Sequence, residues 1–244
     1  MTDTALANIA LLIDADNVNP DHIDPVLTVM AELGQVNIRR AYGNFAKTAL
    51  SRWASITNRL GIRPHQQFDV TKGKNATDMA MTIDAIDLLY QGKVDGFGIM
   101  SSDSDFTPLA TRLRQDGLLV YGFGKATTPP SFRNACTRFI DVDALVAAEN
   151  EQPAPSSAPT DPAPAAPAID ADVIDLLGQA WKAARRDEAG FALMSEVGNI
   201  AGNRSSFDVR NYGFKRLSDL FASLDQFKIE RRGDNKQPFV KRVR

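Results

Sequence analysis

The sequence predicts an α/β protein, a parallel sheet flanked by helices, joined to a second, small α+β domain of winged-helix-like build. Three observations carry this. Over residues 1–149 short apolar runs alternate with amphipathic helical patterns, the order that βαβ units produce. Residues 150–168 then hold six of the 13 prolines, with small residues between them that give a core nothing to bury. Beyond this stretch, three helical patterns are followed by two short basic strands.

Taken in order, Ile9–Asp14 (IALLID) is a short apolar run ending in an acid, and Val36–Gly43 alternates behind Gly34. Gly61–Asp69 is more polar and contains Pro64, which suits an edge strand because proline donates nothing to a ladder. Gly96–Ser102 and Leu118–Gly124 are two further apolar runs, and Phe139–Val142 is a last short one. Helical patterns fill Pro20–Leu33, Lys47–Leu60, Ala76–Tyr90, Phe106–Asp116 and, more loosely, Ser131–Cys136. After the 150–168 spacer, Val173–Ala184 places Val173, Ile174, Leu177, Ala180, Trp181 and Ala184 on one helical stripe. Helices over Phe191–Ile200 and Phe214–Leu224 follow, then two strands joined by a turn at Gly233-Asp234-Asn235. The expected domains are therefore 1–149 and 169–244.

Charge divides along the same line. Residues 1–150 carry 14 Lys+Arg against 17 Asp+Glu, whereas residues 169–244 carry 14 against 11. An acidic unit joined to a basic one suggests a catalytic part tethered to a reader of polyanions. The single cysteine, Cys136, excludes an internal disulfide and a multi-cysteine zinc site. No apolar run reaches the ~18 residues of a bilayer span, and no secretory signal is visible at Met1–Asn8. A cytoplasmic setting without membrane association is the expectation.

Chemistry concentrates at two strand ends. The first strand runs into Asp14-Ala15-Asp16-Asn17, and the fourth into Ser101-Ser102-Asp103-Ser104-Asp105. In parallel sheets ligands bind beyond the carboxyl ends of the strands, at a switch in strand order. A further acid, Asp78, falls in the first turn of the helix that Asn75 or Thr77 would cap. Asp84 and Asp87 point away from Asp78 at 100° per residue. Crowded carboxylates raise one another's pKa unless a cation lies among them, and Mg²⁺ is usually held by a few carboxylates with waters and substrate phosphate. Lys72 and Lys74 are placed to meet substrate phosphates, and Asn17, Ser101, Ser102 and Thr107 to donate hydrogen bonds at the same rim. Each acid also has a structural role open to it. Asp14, Asp16 and Asn17 could serve a turn or helix start, and Asp105 could cap the Phe106–Asp116 helix.

LLIDADN, KGKNATDMAMTIDAIDLLY and SSDSDFTPLATRLRQDGLLVYGFGK resemble the NYN domain of the LabA-like branch of the PIN nuclease superfamily, over roughly Ile9 to Leu145. The resemblance implies a PIN-like sheet and a Mg²⁺- or Mn²⁺-dependent ribonuclease that leaves 5′-phosphate ends. Its metal-binding acids map onto Asp14, Asp78, Asp103 and Asp105, with Asp16 either a further ligand or a polar neighbour. Tyr42–Lys47 resembles the family's second-strand exit, where substrate contacts would lie. GFALMSEVGN, SSFDVRNYGFKRLSDLF and QFKIERR are similar to the OST-HTH domain, also called LOTUS, which implies RNA binding and, in some members, a protein partner. Arg210, Lys215 and Arg216 near a helix start, and Arg231, Arg232, Lys236, Lys241, Arg242 and Arg244 on the wing, would meet phosphates. Tyr212 would stack on an unpaired base, although Phe207, Tyr212, Phe214 and Leu217 also suit a core.

The reading that unites these features is a metal-dependent endoribonuclease whose C-terminal domain binds RNA. Two alternatives remain. One is a non-catalytic RNA-binding or assembly module. The other is a haloacid-dehalogenase-like phosphatase with Asp14 as nucleophile and Asp16 as general acid, against which Lys72 and Lys74 stand before, not after, the Ser101–Ser102 strand end.

Overall fold

A computed structural model of the chain describes residues 7–68, 75–150, 169–232 and 236–243. The chain divides into two compact units, Met1–Val146 and Ala147–Arg244. The proline-rich residues 151–168, Lys72, Lys74, Arg244 and the turn residues Gly233, Asp234 and Asn235 lie outside the described residues.

The first unit is a six-stranded sheet in the order β3-β2-β1-β4-β5-β6. Its strands are β1 (Asn8–Asp14), β2 (Gln35–Gly43), β3 (Arg63–Gln66), β4 (Gly96–Met100), β5 (Leu119–Gly124) and β6 (Arg138–Asp141), and every neighbouring pair is parallel. Strand β3, with Pro64, sits on the edge, as its composition requires. Alternation along β1 sends Ile9, Leu11 and Ile13 to one face and Ala10 and Leu12 to the other. The first face packs on α1 (Ile23–Leu33), on α2 (Ser51–Leu60) through Trp53, and on the start of α6 (Val142–Asn150). The second packs on α3 (Ala76–Gln91), α4 (Thr107–Gln115) and α5 (Pro130–Ala135). Three helical patterns begin as short 3₁₀ turns, at Pro20–His22, Thr48–Leu50 and Ser104–Phe106. Helix α6 has no counterpart in the sequence reading, which ended the unit on a strand.

Gly98 in β4 shows how closely a helix approaches the sheet. A Cβ there would meet Met30 Cε at 2.9 Å and Leu11 Cδ1 at 3.0 Å, both in fully buried side chains. Gly98→Ala is expected to destabilise the unit by about 1–3 kcal/mol, the usual range for overpacking, seen as a lower urea midpoint at unchanged m-value.

The second unit is built from α7 (Ala171–Ala183), β7 (Ala192–Leu193), α8 (Met194–Arg204), α9 (Leu217–Ala222), β8 (Phe227–Arg232) and β9 (Gln237–Arg242). Its antiparallel sheet runs β7-β9-β8. Leu177, Ala180, Val197, Ala201, Leu220, Phe221 and Val240 form the fully buried centre. Two expected helices differ from the reading, one displaced and one shorter. Ala192 and Leu193 pair with Val240 and Phe239, so α8 starts at Met194. A 3₁₀ turn occupies Val209–Tyr212, ahead of the last expected pattern, and within that pattern α9 runs only from Leu217 to Ala222. Among the described residues no helix is long and apolar enough to cross a membrane.

Candidate active site at the sheet switch point

Strand order reverses between β1 and β4, since β1 leads outward to β2 and β3 whereas β4 leads the other way to β5 and β6. The crevice beyond their carboxyl ends is where such sheets bind ligands. Asp14 closes β1 and shares the parity of Leu12, so it faces the α3 and α4 side. Ile13 pairs with Met100, which brings Ser101 beside Asp14, and the Ser101 hydroxyl donates to Asp14 Oδ2 at 2.8 Å. Asn17 Nδ2 donates to the same oxygen at 2.8 Å. Asp14 is fully buried, and its other oxygen, Oδ1, is buried with no hydrogen-bond partner among the described residues. Burial raises the Asp14 pKa, the Asn17 and Ser101 hydrogen bonds oppose this, and the charges of Asp16 and Asp103 add to the rise.

The other acids gather round this one. Asp103 caps the turn at Ser104–Phe106, its Oδ1 accepting from the Asp105 amide at 2.8 Å, while its own amide donates to Ser101 Oγ at 3.1 Å. The cap is thus Asp103, not Asp105 as one reading of the sequence allowed. Asp105 Oδ2 accepts from Asn75 Nδ2 at 2.8 Å, and Asp16 Oδ2 from Thr77 Oγ1 at 2.8 Å. Asn75 and Thr77 therefore join the start of α3 to the two acidic loops instead of capping it by side chain. Lys47 Nζ lies 3.4 Å from Asp16 Oδ1. Asp78, in the first turn of α3, is pushed up to about 6 by burial and then by the charges of Asp14, Asp103, Asp105 and Asp16. Hydrogen bonds and strand ends thus gather Asp14, Asp16, Asp103 and Asp105 at one sheet edge, and Asp78 is close enough to feel all four.

Among the remaining expected residues, Ser102 Oγ accepts from the Lys125 amide at 3.0 Å, and Thr107 Oγ1 is buried without a partner among the described residues. An open cleft of about 320 Å³ beside the acids is lined by Asn17, Ser102, Asp103, Ser104, Lys125 and Pro129. Lys125 was given no role in the sequence reading, yet it directly follows β5, and the strand-end rule applied to the next strand would have found it. Asp84 lies apart from the acids. It accepts from Arg40 Nη1 and the Tyr42 hydroxyl and ties α3 to β2. Burial raises its pKa, but these two hydrogen bonds and the Arg40 charge outweigh that and lower it.

In the second unit, several of the residues expected to hold RNA have partners within the fold, Arg242 with Asp175 at 3.6 Å and Lys241 over the Phe191 ring among them. Arg210 pairs with the buried Asp208 at 2.9 Å, and Tyr212 stacks on Phe207 at 5.9 Å. Arg232 pairs with Asp187 and Glu230 and covers the Phe191 ring at 4.4 Å. Lys215, Arg216 and Arg231 are exposed.

The Asp78 shift makes a stability prediction for the metal-free protein. An acid whose folded pKa lies above its unfolded value stabilises the fold fully below about 3.8, and this contribution is lost as pH rises through about 6. Asp78→Asn is therefore expected to gain on the parent as pH rises across that window. Allowing for the side chain's partial exposure, the gain is about 1 kcal/mol. Thermal midpoints of both proteins in EDTA, from pH 4 to pH 7.5, check it.

A parallel sheet whose strand order reverses between β1 and β4, with acids at that point, defines an α/β protein of the class that binds ligands at its switch point. The chain belongs to the NYN domain family, whose model matches residues 8–143, and an OST-HTH/LOTUS domain follows at residues 167–239. NYN domains are PIN-like nucleases, and OST-HTH domains bind RNA. An uncharacterized protein of Methanocaldococcus jannaschii is 28% identical over 138 residues, covering 54% of this chain and 52% of that protein. The chain thus matches about half the length of this relative. The crystal structure of a protein of unknown function from Vibrio parahaemolyticus is similar in fold, with a TM-score of 0.50 at 19% identity, covering 59% of this chain and 98% of that one.

Proposed function

We propose that the protein is a metal-dependent endoribonuclease whose NYN unit cuts RNA phosphodiesters and whose OST-HTH unit holds the RNA. The observation that carries this is the buried, unpartnered Oδ1 of Asp14, with Asp78 nearby pushed up to about 6 by burial first and by the charges of Asp14, Asp103, Asp105 and Asp16 next. An orphaned buried carboxylate oxygen among like charges calls for a cation. Hard oxygen donors without sulfur or imidazole suit Mg²⁺ or Mn²⁺. Asp14, Asp78, Asp103 and Asp105 would hold the ion, one or two of them directly and the others through its waters, and the ion when bound would activate water and offset charge developing on the phosphate. Ser101 and Asn17 fix Asp14 by two hydrogen bonds, leaving Oδ1 for the ion. Asp103, held by its own cap, keeps its second oxygen for the same task. Asn17, Ser102 and Lys125 line the adjoining cleft, where Lys125 supplies positive charge for a substrate phosphate. Lys72 and Lys74 remain part of the proposal as phosphate contacts, as does a cytoplasmic setting.

One observation favours a second reading, a non-catalytic RNA-binding module. Among the described residues no group of three Asp, Glu, His or Cys side chains is spaced to hold a metal ion. A Mg²⁺ ion that keeps most of its waters needs only one or two direct carboxylates, so the nuclease reading stands ahead. The test is incubation of the protein with single-stranded and structured RNA, with and without Mg²⁺ or Mn²⁺. Cleavage only with the ion is expected, and inert protein across all conditions would leave the binding module.

A further inference from the structure

We infer that the OST-HTH unit binds an unpaired RNA nucleotide at Trp181, an inference that rests on the chain acting on RNA. Trp181 lies near the end of α7, on the stripe that faces the core. Its indole N–H is buried with no acceptor among the described residues, a state that costs about 1–3 kcal/mol and that a base carbonyl or phosphate oxygen would relieve. The ring lines two open clefts, of about 540 Å³ and 510 Å³, each within the size range of small-ligand sites. Lys182 and Arg242 border the first, and Arg186 and Lys241 the second. The guanidinium of Arg186 rests 4.8 Å from the indole centroid, so it already covers one face of the ring, and its own exposed plane offers a second stacking surface to a base. Three acids also stand on these rims, Asp175, Asp187 and Glu188, of which Asp175 faces Arg242 at 3.6 Å and Asp187 faces Arg232. One aromatic platform ringed by cations is how single strands are held, bases stacked and phosphates paired. A protein partner would be expected to want a broader apolar core than one ring.

The chain contains two tryptophans, and Trp53 is only 1% exposed within the first unit, out of contact with a ligand, so contact quenching reports on Trp181 over the constant emission of Trp53. The full chain in EDTA is titrated with a 12-nucleotide oligouridylate, alongside Trp181→Phe and a triple variant carrying Lys182→Gln, Arg186→Gln and Lys241→Gln. Thermal unfolding checks that both variants fold. Saturable quenching of the parent is expected, absent from Trp181→Phe and at least about tenfold weaker in affinity in the triple variant. RNA binding with unmoved emission and parent-like affinity in the triple variant overturns the site. Equal quenching by an oligoglutamate peptide overturns the assignment to RNA. Cleavage assayed separately with Mg²⁺ or Mn²⁺ keeps the two readings apart. Quenching without cleavage supports this site and defeats the nuclease, whereas cleavage without quenching defeats the site alone.

Discussion

Asp14→Asn is expected to lower metal-dependent RNA cleavage by at least about a hundredfold, the scale seen when a preorganised charge is removed from a reacting centre, with the fold and RNA binding retained. The substitution keeps the shape of the side chain. Its carbonyl still accepts from Ser101 and Asn17, the two donors that now share Oδ2. What changes is the position of the orphaned Oδ1, which becomes an amide that cannot bind a cation. Two opposing effects then act on stability. The cost of burying the Asp14 charge, which raised its pKa, is gone, which favours folding, and a buried N–H₂ without a partner takes its place, which disfavours it. A near-parent melting temperature with cleavage lost is the expected pair of results, by gel assay of labelled RNA and by thermal unfolding. Cleavage at the parent rate would mean that the switch point is not the reacting centre. Asp103→Asn should act in the same direction, but it also weakens the cap on the Ser104–Phe106 turn, so some of its effect would appear as stability.

Strands were legible because each is written locally. IALLID and GFGIM are apolar enough to be central, and Pro64 marks β3 as an edge. The acidic strand ends followed from the same rule, since any residue just past a central parallel strand is delivered to the ligand edge. What the sequence did not reveal depends on partners distant in the chain. Asn75 and Thr77 read as caps because capping is local, yet their side chains bond Asp105 and Asp16, 30 and 61 residues away. The residues Phe191–Leu193 read as helix because their apolar spacing continues into α8, while pairing with β9 makes Ala192 and Leu193 a strand. The basic surface of the second unit was the hardest to read. Composition counts cations, but only tertiary structure shows which ones already face an acid.

Asp208 tests that last point and carries the second large effect. Asp208→Ala is expected to destabilise the C-terminal unit by about 2–4 kcal/mol, enough to cost RNA binding through unfolding. Asp208 is buried and does two jobs. As N-cap of the Val209–Tyr212 turn it accepts from the Arg210 amide at 2.9 Å, a contact whose loss costs roughly 0.5–2 kcal/mol. It also pairs with the Arg210 guanidinium at 2.9 Å, and breaking a buried pair from one side costs more than the pair is worth because a charge is left behind. Arg210 is partly exposed, which lowers that second figure. The sequence alone assigned Arg210 to RNA. If that were its main role, Arg210→Gln would weaken RNA binding with the melting temperature unchanged, and Asp208→Ala would free the cation and strengthen binding. The pairing predicts the reverse, lower midpoints for both variants and RNA affinity that falls only in step with the folded fraction. Thermal unfolding and RNA titration of the two variants side by side decide between a phosphate contact and a strut that holds the turn before α9.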